Sequence, residues 1–203
     1  MSDSKHVLFC DLGNVILPFD FNPAMRKLAD LAGVSLEEVK DFLFQPGFQE
    51  KYETGKLSSK EFLDLIRGKL RLSTPKDQLA WVWNDVFSEN RAMIEWLESM
   101  IGRFPIWGIS NTNALHFDFV RQRYPIVRKF TGWILSYEAG YRKPQPEIFQ
   151  MALKRSGVSA DRAFFVDDLL IHVQAAESVG ISSHLFKGVP SLVSALKEKG
   201  FDI

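Results

Sequence analysis

The chain has one cysteine among its 203 residues, Cys10, so no internal disulfide can form. That cysteine lies within an apolar run and reads as a small core hydrophobe, which fits a reducing, cytoplasmic setting. No stretch approaches the ~20 consecutive apolar residues that a membrane-spanning helix needs. The start, Met1 to Lys5, is short and polar and lacks the apolar centre of a secretion signal. Excess charge is missing too: 25 Lys and Arg stand against 25 Asp and Glu, so no global field recruits nucleic acid or an anionic membrane. There is no basic run, internal repeat, low-complexity segment or long linker. What the chain does have is apolar mass. Hydrophobic residues make up 46%, with 17 Phe, enough for one domain with a sizeable core and a small accessory unit.

The rest is organised around Val7-Leu8-Phe9-Cys10-Asp11-Leu12-Gly13-Asn14-Val15-Ile16-Leu17. A short, wholly apolar run reads as a strand buried on both faces, the habit of parallel sheets. A carboxylate is costly inside such a sheet. Asp11 therefore belongs at the strand's C-terminal end, where open α/β sheets bind ligands. Two further runs end the same way: Ile106–Ile109 runs into Ser110-Asn111-Thr112-Asn113, and Ala163–Val166 into Asp167-Asp168. Lys143 sits in a loop fixed by Pro144 and Pro146.

After Leu17 the spacing turns helical for roughly seventy residues. Asn22-Pro23 starts a helix that Gly33 ends. Ser35 with Glu38, and Ser58 with Glu61, have capping-box spacing. Pro46-Gly47 breaks the chain, Phe48 to Thr54 is a short helix stopped by Gly55, and Pro75 opens the last helix of the group. From Arg91 strands and helices alternate. Helix 92–101 precedes strand 106–110, and helix 113–124 precedes strand 131–136 and the lysine loop. Helix 146–155, strand 163–166, helix 171–179, strand 182–186 and helix 191–199 complete the chain. Such alternation implies a parallel sheet with helices on both faces.

Asp11, Ser110, Lys143 and the pair Asp167-Asp168, in this order, resemble the signatures of the haloacid dehalogenase-like hydrolases, over nearly the whole chain. The resemblance implies an α/β class, with a doubly wound, Rossmann-like parallel-sheet core from residues 1–17 and 88–203. It also implies an all-helical cap, residues 18–87, that covers the site and selects substrate. Asp11 would then be the nucleophile and form an aspartyl-phosphate that water hydrolyses. Lys143 would neutralise the phosphate, and Ser110 with Asn111 would donate to its oxygens. Several carboxylates beside a dianion call for Mg²⁺, a hard cation that takes carboxylate and carbonyl oxygens. The family pattern assigns its ligands to the Asp11 carboxylate, the Gly13 carbonyl and Asp168, with Asp167 alongside, bound through water or paired with Lys143. Leu12, Gly13, Asn111, Asp20 and Asn22 are expected at the substrate. The expected partner is a small phosphate ester, with the chain a monomer or weak homodimer.

Two departures bear on the chemistry. Family phosphatases carry a second Asp two residues after the nucleophile, to protonate the leaving oxygen; here that position is Gly13. General acid catalysis is typically worth ~10²–10⁴-fold, so its loss limits which substrates are practical. His172 stands where an Asp or Asn is usual, and could donate to Asp168 or make the site pH-sensitive. The absence at Gly13 has a counterpart. Asp-Leu-Gly-Asn-Val, Asp20-Phe21-Asn22, Gly55-Lys56-Leu57-Ser58, Ser-Asn-Thr-Asn and Arg142-Lys143-Pro144 together are similar to a bacterial hexose-1-phosphate phosphatase subgroup. An anomeric oxygen leaves more easily than an ordinary alcohol. Of ionisable side chains near the site, Asp20 is the expected substitute acid. Two other readings stay open. A 2-haloacid dehalogenase also uses an Asp ester and no second acid, but carries an aromatic-Gly-Thr turn that Leu12-Gly13-Asn14 does not match. A catalytically weak phosphate-binding protein of the same fold would also tolerate Gly13 and His172.

Overall fold

The computed structural model describes residues 6–203, so the polar start Met1–Lys5 lies outside the described residues. Strands Val7–Cys10 (β1), Ile106–Ser110 (β2), Gly132–Leu135 (β3), Ala163–Asp167 (β4) and Ser182–Leu185 (β5) form one parallel sheet. Their order is β3-β2-β1-β4-β5. With β1 central and chain order reversing beside it, the C-terminal ends of β1, β2 and β4 meet at the switch point, where open α/β sheets bind ligands.

Alternation along the strands explains why both faces are apolar. Leu8, Cys10, Ile106 and Val166 join one cluster, closed by helices Arg91–Met100 and Ala114–Arg123 and by the C-terminal helix Val189–Glu198. Val7, Phe9, Ile109, Ile134 and Phe165 join the other, closed by helices Pro146–Ser156 and Leu170–Ser178. Between β2 and β3 the register sets Trp107 opposite Gly132 and Gly108 opposite Trp133. A Cβ on either glycine would overlap the facing indole, so these glycines make room for the two rings.

Five helices lie between β1 and β2: α1 (Asn22–Ala32), α2 (Leu36–Leu43), α3 (Phe48–Glu53), α4 (Ser59–Lys69) and α5 (Lys76–Asn84). Both capping boxes form, Ser35 with Glu38 and Ser58 with Glu61. The helices bury their apolar faces against one another, with Leu28, Val39, Phe62, Ile66, Leu79 and Trp83 at the centre of a third cluster. Entry and exit run side by side: Asp20 N–H donates to Val86 O (2.9 Å) and Ser88 N–H to Pro18 O (2.8 Å). Phe87 packs against both the helical cluster and the sheet cluster.

The end of β3 differs from the sequence expectation. The strand expected over 131–136 ends at Leu135, because Ser136 opens a short helix, Ser136–Ala139. The segment after Pro125 is a 3₁₀ turn, Pro125–Lys129. Among the described residues, no helix is long and apolar enough to cross a membrane.

Candidate active site

Asp11 follows β1 directly, its N–H donating to Val166 O on β4 at 2.9 Å. The next residues fold back tightly: Val15 N–H donates to Gly13 O (2.7 Å), and Ile16 and Leu17 both donate to Leu12 O. Val15, Ile16 and Leu17 are fully buried and hold this turn in the core. Asp11 Oδ1 accepts from Leu12 N–H at 2.7 Å and lies 2.8 Å from Lys143 Nζ. The same ammonium donates to Asp167 Oδ2 at 2.6 Å. Lys143 is only 1% exposed, so a buried cation is clamped between two carboxylates.

The lysine loop is itself fixed. Asn111 Nδ2 donates to Lys143 O and Lys143 N–H donates to Asn111 Oδ1, both at 2.8 Å. Ser136, fully buried, accepts from Thr112 N–H and donates to Thr112 O. Neither tie needs substrate. Asn111 thus braces the lysine loop as well as facing the cavity, and Ser136 is a supporting residue that sequence reasoning missed.

The acidic pair divides its work. Asp167 accepts from Lys143, from Leu169 N–H (2.9 Å) and from His172 Nδ1 (3.0 Å), so its oxygens are largely committed. His172 therefore supports Asp167, whereas one of its two sequence readings put it on Asp168; the start of the following helix carries its ring back toward the strand end. Asp168 is less buried and accepts from Asn14 Nδ2 at 3.0 Å. Carboxylate oxygens of Asp11, Asp167 and Asp168 all lie within 4.8 Å of one another.

Electrostatics follows from burial and this pairing. Burial pushes the Asp11 carboxyl up to about 7, and the nearby Asp167 adds to the rise, although Lys143 opposes it. Burial would raise Asp167 too, but Lys143 and His172 outweigh it and hold the group low. Desolvation works against the Lys143 charge, yet Asp11 and Asp167 more than compensate and its pKa is raised. Cys10 is buried and its thiol is pushed up, first by desolvation and then by Asp11, which leaves it an inert core residue.

Beside Gly13 lies a cavity between the sheet and the helical group. Its floor is Leu12, Gly13 and Ser110–Asn113; its walls include Phe19, Phe48, Tyr52, Phe62, Trp83 and Phe87, with Gln49 and Glu53 among them. Ser110 and Asn111 are part of that floor. Asp20 and Asn22 do not line it: Asp20 is exposed, and its Oδ1 is taken by the backbone N–H and Nδ2 of Asn22. Phe19 and Phe21 from the same segment face the cavity instead.

His116 completes the wall in one fixed state. The Trp83 carbonyl can only accept, so His116 Nε2 carries the proton at 3.1 Å and Nδ1 accepts from Asn113 Nδ2. Burial lowers its pKa from 6.5 to about 4. The unfolded chain therefore binds more protons between those values, and stability falls as pH drops through that window. Two to three units correspond to about 3 kcal/mol. Denaturant midpoints measured from pH 7 to pH 4 should fall by less in His116→Gln than in wild type. Parallel curves would mean that His116 does not titrate as its burial requires.

The sequence pattern of the haloacid dehalogenase-like hydrolases matches residues 5–180. A D-ribitol-5-phosphate phosphatase of Bacteroides thetaiotaomicron is 25% identical over 88% of this chain and 90% of its own length. A sesquiterpene phosphatase of Aspergillus oryzae is 26% identical over 84% of each chain. The crystal structure of a B. thetaiotaomicron family enzyme complexed with magnesium and inorganic phosphate superposes with a TM-score of 0.81. It is 25% identical and covers 91% of this chain and 96% of the other. With this match over most of its length, and with its Asp, Ser, Lys and acidic pair gathered at the ends of parallel strands, the chain belongs to the haloacid dehalogenase-like hydrolase family.

Proposed function

We propose that the protein is a Mg²⁺-dependent phosphatase that hydrolyses a small phosphorylated metabolite through an aspartyl-phosphate on Asp11. The observation that carries this reading is the clamp of Lys143 between Asp11 and Asp167, with Asp11 directly before Leu12 and Gly13 on the floor of a cavity that Ser110 and Asn111 also line. Three carboxylates against one ammonium leave two negative charges, the charge of one divalent cation. That donor set is all oxygen, which suits Mg²⁺. Asp11, Asp168 and the Gly13 carbonyl would hold it, since Asp167 is already occupied by Lys143, His172 and a backbone N–H. When bound, Mg²⁺ supplies positive charge to the phosphate oxygens. The solved relative with magnesium and phosphate, and the two relatives named as phosphatases, support this assignment.

In this reading the Asp11 carboxylate attacks phosphorus, and Lys143 offsets charge on the transferred group and keeps Asp11 ionised. Ser110 and Asn111 donate to phosphate oxygens. Residues 18–87 act as the cap: their helices supply the aromatic wall and exclude water from the leaving group. A sugar 1-phosphate suits the site if its ring stacks on that wall with Gln49 as a polar partner. The Bacteroides relative is named for a primary alditol phosphate instead. Sugar 1-phosphates and primary sugar phosphates are therefore the two sets to compare.

The test is turnover of p-nitrophenyl phosphate with Mg²⁺ and with a chelator. Activity should fall by ~10²-fold or more in chelator and return with Mg²⁺. Full activity in chelator would overturn the Mg²⁺ requirement, and no activity under either condition would overturn the phosphatase reading.

A further inference from the structure

A site without a side chain at position 13 must either do without a proton donor or find one elsewhere. Gly13 has no side chain to give, and a Cβ there would lie 2.8 Å from the edge of the Phe19 ring, which would have to shift to admit one. Asp20, the nearest acid in sequence, is exposed and turned onto Asn22.

We propose that Glu53, on α3, is the proton donor to the leaving-group oxygen, in place of the carboxyl absent at Gly13; this rests on the phosphatase reading above. Glu53 lines the same cavity as Gly13, Ser110 and Asn111. It is only 7% exposed. Oε1 accepts from Gln49 Nε2 at 2.7 Å, which orients the group. Oε2 is buried and makes no hydrogen bond; Arg142 Nη2 lies 3.1 Å away, but off the bonding direction. Elimination points the same way. His116 has both ring nitrogens engaged and stays neutral, and the Tyr52 phenol, pushed up to about 12 chiefly by burial, is tied to Ser59. No other ionisable side chain lines this cavity among the described residues.

The surroundings suit an acid that must regenerate. Burial raises the Glu53 pKa, and Glu50 on the same helix adds slightly. Arg142, Lys143 and the Gln49 amide favour the carboxylate, but not enough to cancel the rise. In the first step an Asp11 oxygen bonds to phosphorus as the phosphorus–leaving-oxygen bond breaks, and that oxygen takes the Glu53 proton. Arg142 then stands beside the new carboxylate. In the second step water bonds to phosphorus as the bond from the Asp11 oxygen to phosphorus breaks; the Asp11 carboxylate and inorganic phosphate are released, and the water's proton returns to Glu53. Gly55 keeps α3 in place for this: its φ is +71°, and a Cβ there would overlap the Tyr137 carbonyl oxygen of the core.

The experiment compares kcat/KM for aryl phosphates and for alkyl or sugar phosphates in wild type, Glu53→Gln and Glu53→Asp. Gln keeps the shape and the Gln49 contact but carries no proton to give. Glu53→Gln should lose ~10²-fold or more on alkyl phosphates and stay within a few-fold on p-nitrophenyl phosphate, whose leaving group needs no acid. Glu53→Asp should keep part of the alkyl activity. In wild type, an alkaline decline in kcat/KM should appear with alkyl phosphates and be absent with the aryl ester, a readout that needs no variant. Equal losses on both substrate classes would make Glu53 a structural partner of Arg142 and overturn the proposal, as would no loss on either. Wild type that turns over no phosphate ester at all would instead sink the phosphatase reading itself.

Discussion

Asp11→Asn should reduce phosphatase turnover by at least ~10⁴-fold, the scale on which removing a covalent nucleophile acts. The fold should survive. Asn keeps Oδ1, so Leu12 N–H and Lys143 Nζ retain their acceptor at 2.7 and 2.8 Å. Stability without metal should, if anything, rise. Burial pushes the Asp11 carboxyl up to about 7 in the folded chain, against about 3.9 for an exposed Asp. A raised carboxyl disfavours folding above its unfolded pKa, and the amide removes that cost. Melting curves in chelator at pH 8 should place the variant at or above wild type. Turnover within about tenfold of wild type would remove Asp11 as nucleophile. A large loss of stability would mean that the activity loss reports a damaged fold.

How much of this was legible in the sequence follows from how local each feature is. The strand around Phe9, the capping boxes at Ser35 and Ser58, and the helix that Gly33 closes are written in neighbouring residues. Asp11, Ser110 and Asp167 come together because parallel strands of similar length end at one edge, so polar groups after apolar runs share a site. Lys143 needed the family pattern, since nothing in its own loop says that it points inward. The misplacements are all questions of side-chain direction. Asp20 is close to Asp11 in sequence, but its carboxylate closes a turn on Asn22. His172, which one reading of the sequence put on Asp168, reaches Asp167. Glu53 read only as part of a short polar helix, Phe-Gln-Glu-Lys-Tyr-Glu, and its burial comes from α3 packing against the segment after β3. Nothing in the periodicity of α3 could have announced a contact with Arg142.

Replacing Lys143 with Met should do the widest damage, to activity and stability together. The side chain is 1% exposed, with its ammonium between Asp11 and Asp167 and 5.5 Å from the Phe165 ring centre. Met fills a similar volume, so the main change is the missing charge. Removing one partner of a buried ion pair typically costs 3–5 kcal/mol, because the other charge stays buried without compensation. Two carboxylates are left here, with only His172, Leu12 N–H and Leu169 N–H to support them. The pH dependence gives the signature. Asp167 is held low partly by Lys143, so its stabilising contribution is present above the unfolded carboxyl range and lost as pH falls through its lowered pKa. Asp11 would rise further without the ammonium and would oppose folding in its charged form. The stability gap between variant and wild type, measured in chelator, should be widest near pH 8 and narrow as the carboxylates protonate. Turnover should fall by ~10²–10³-fold or more, the scale for losing one preorganised charge at a reacting centre. A pH-independent gap would assign the loss to packing alone, and near-wild-type turnover would take Lys143 out of the chemistry.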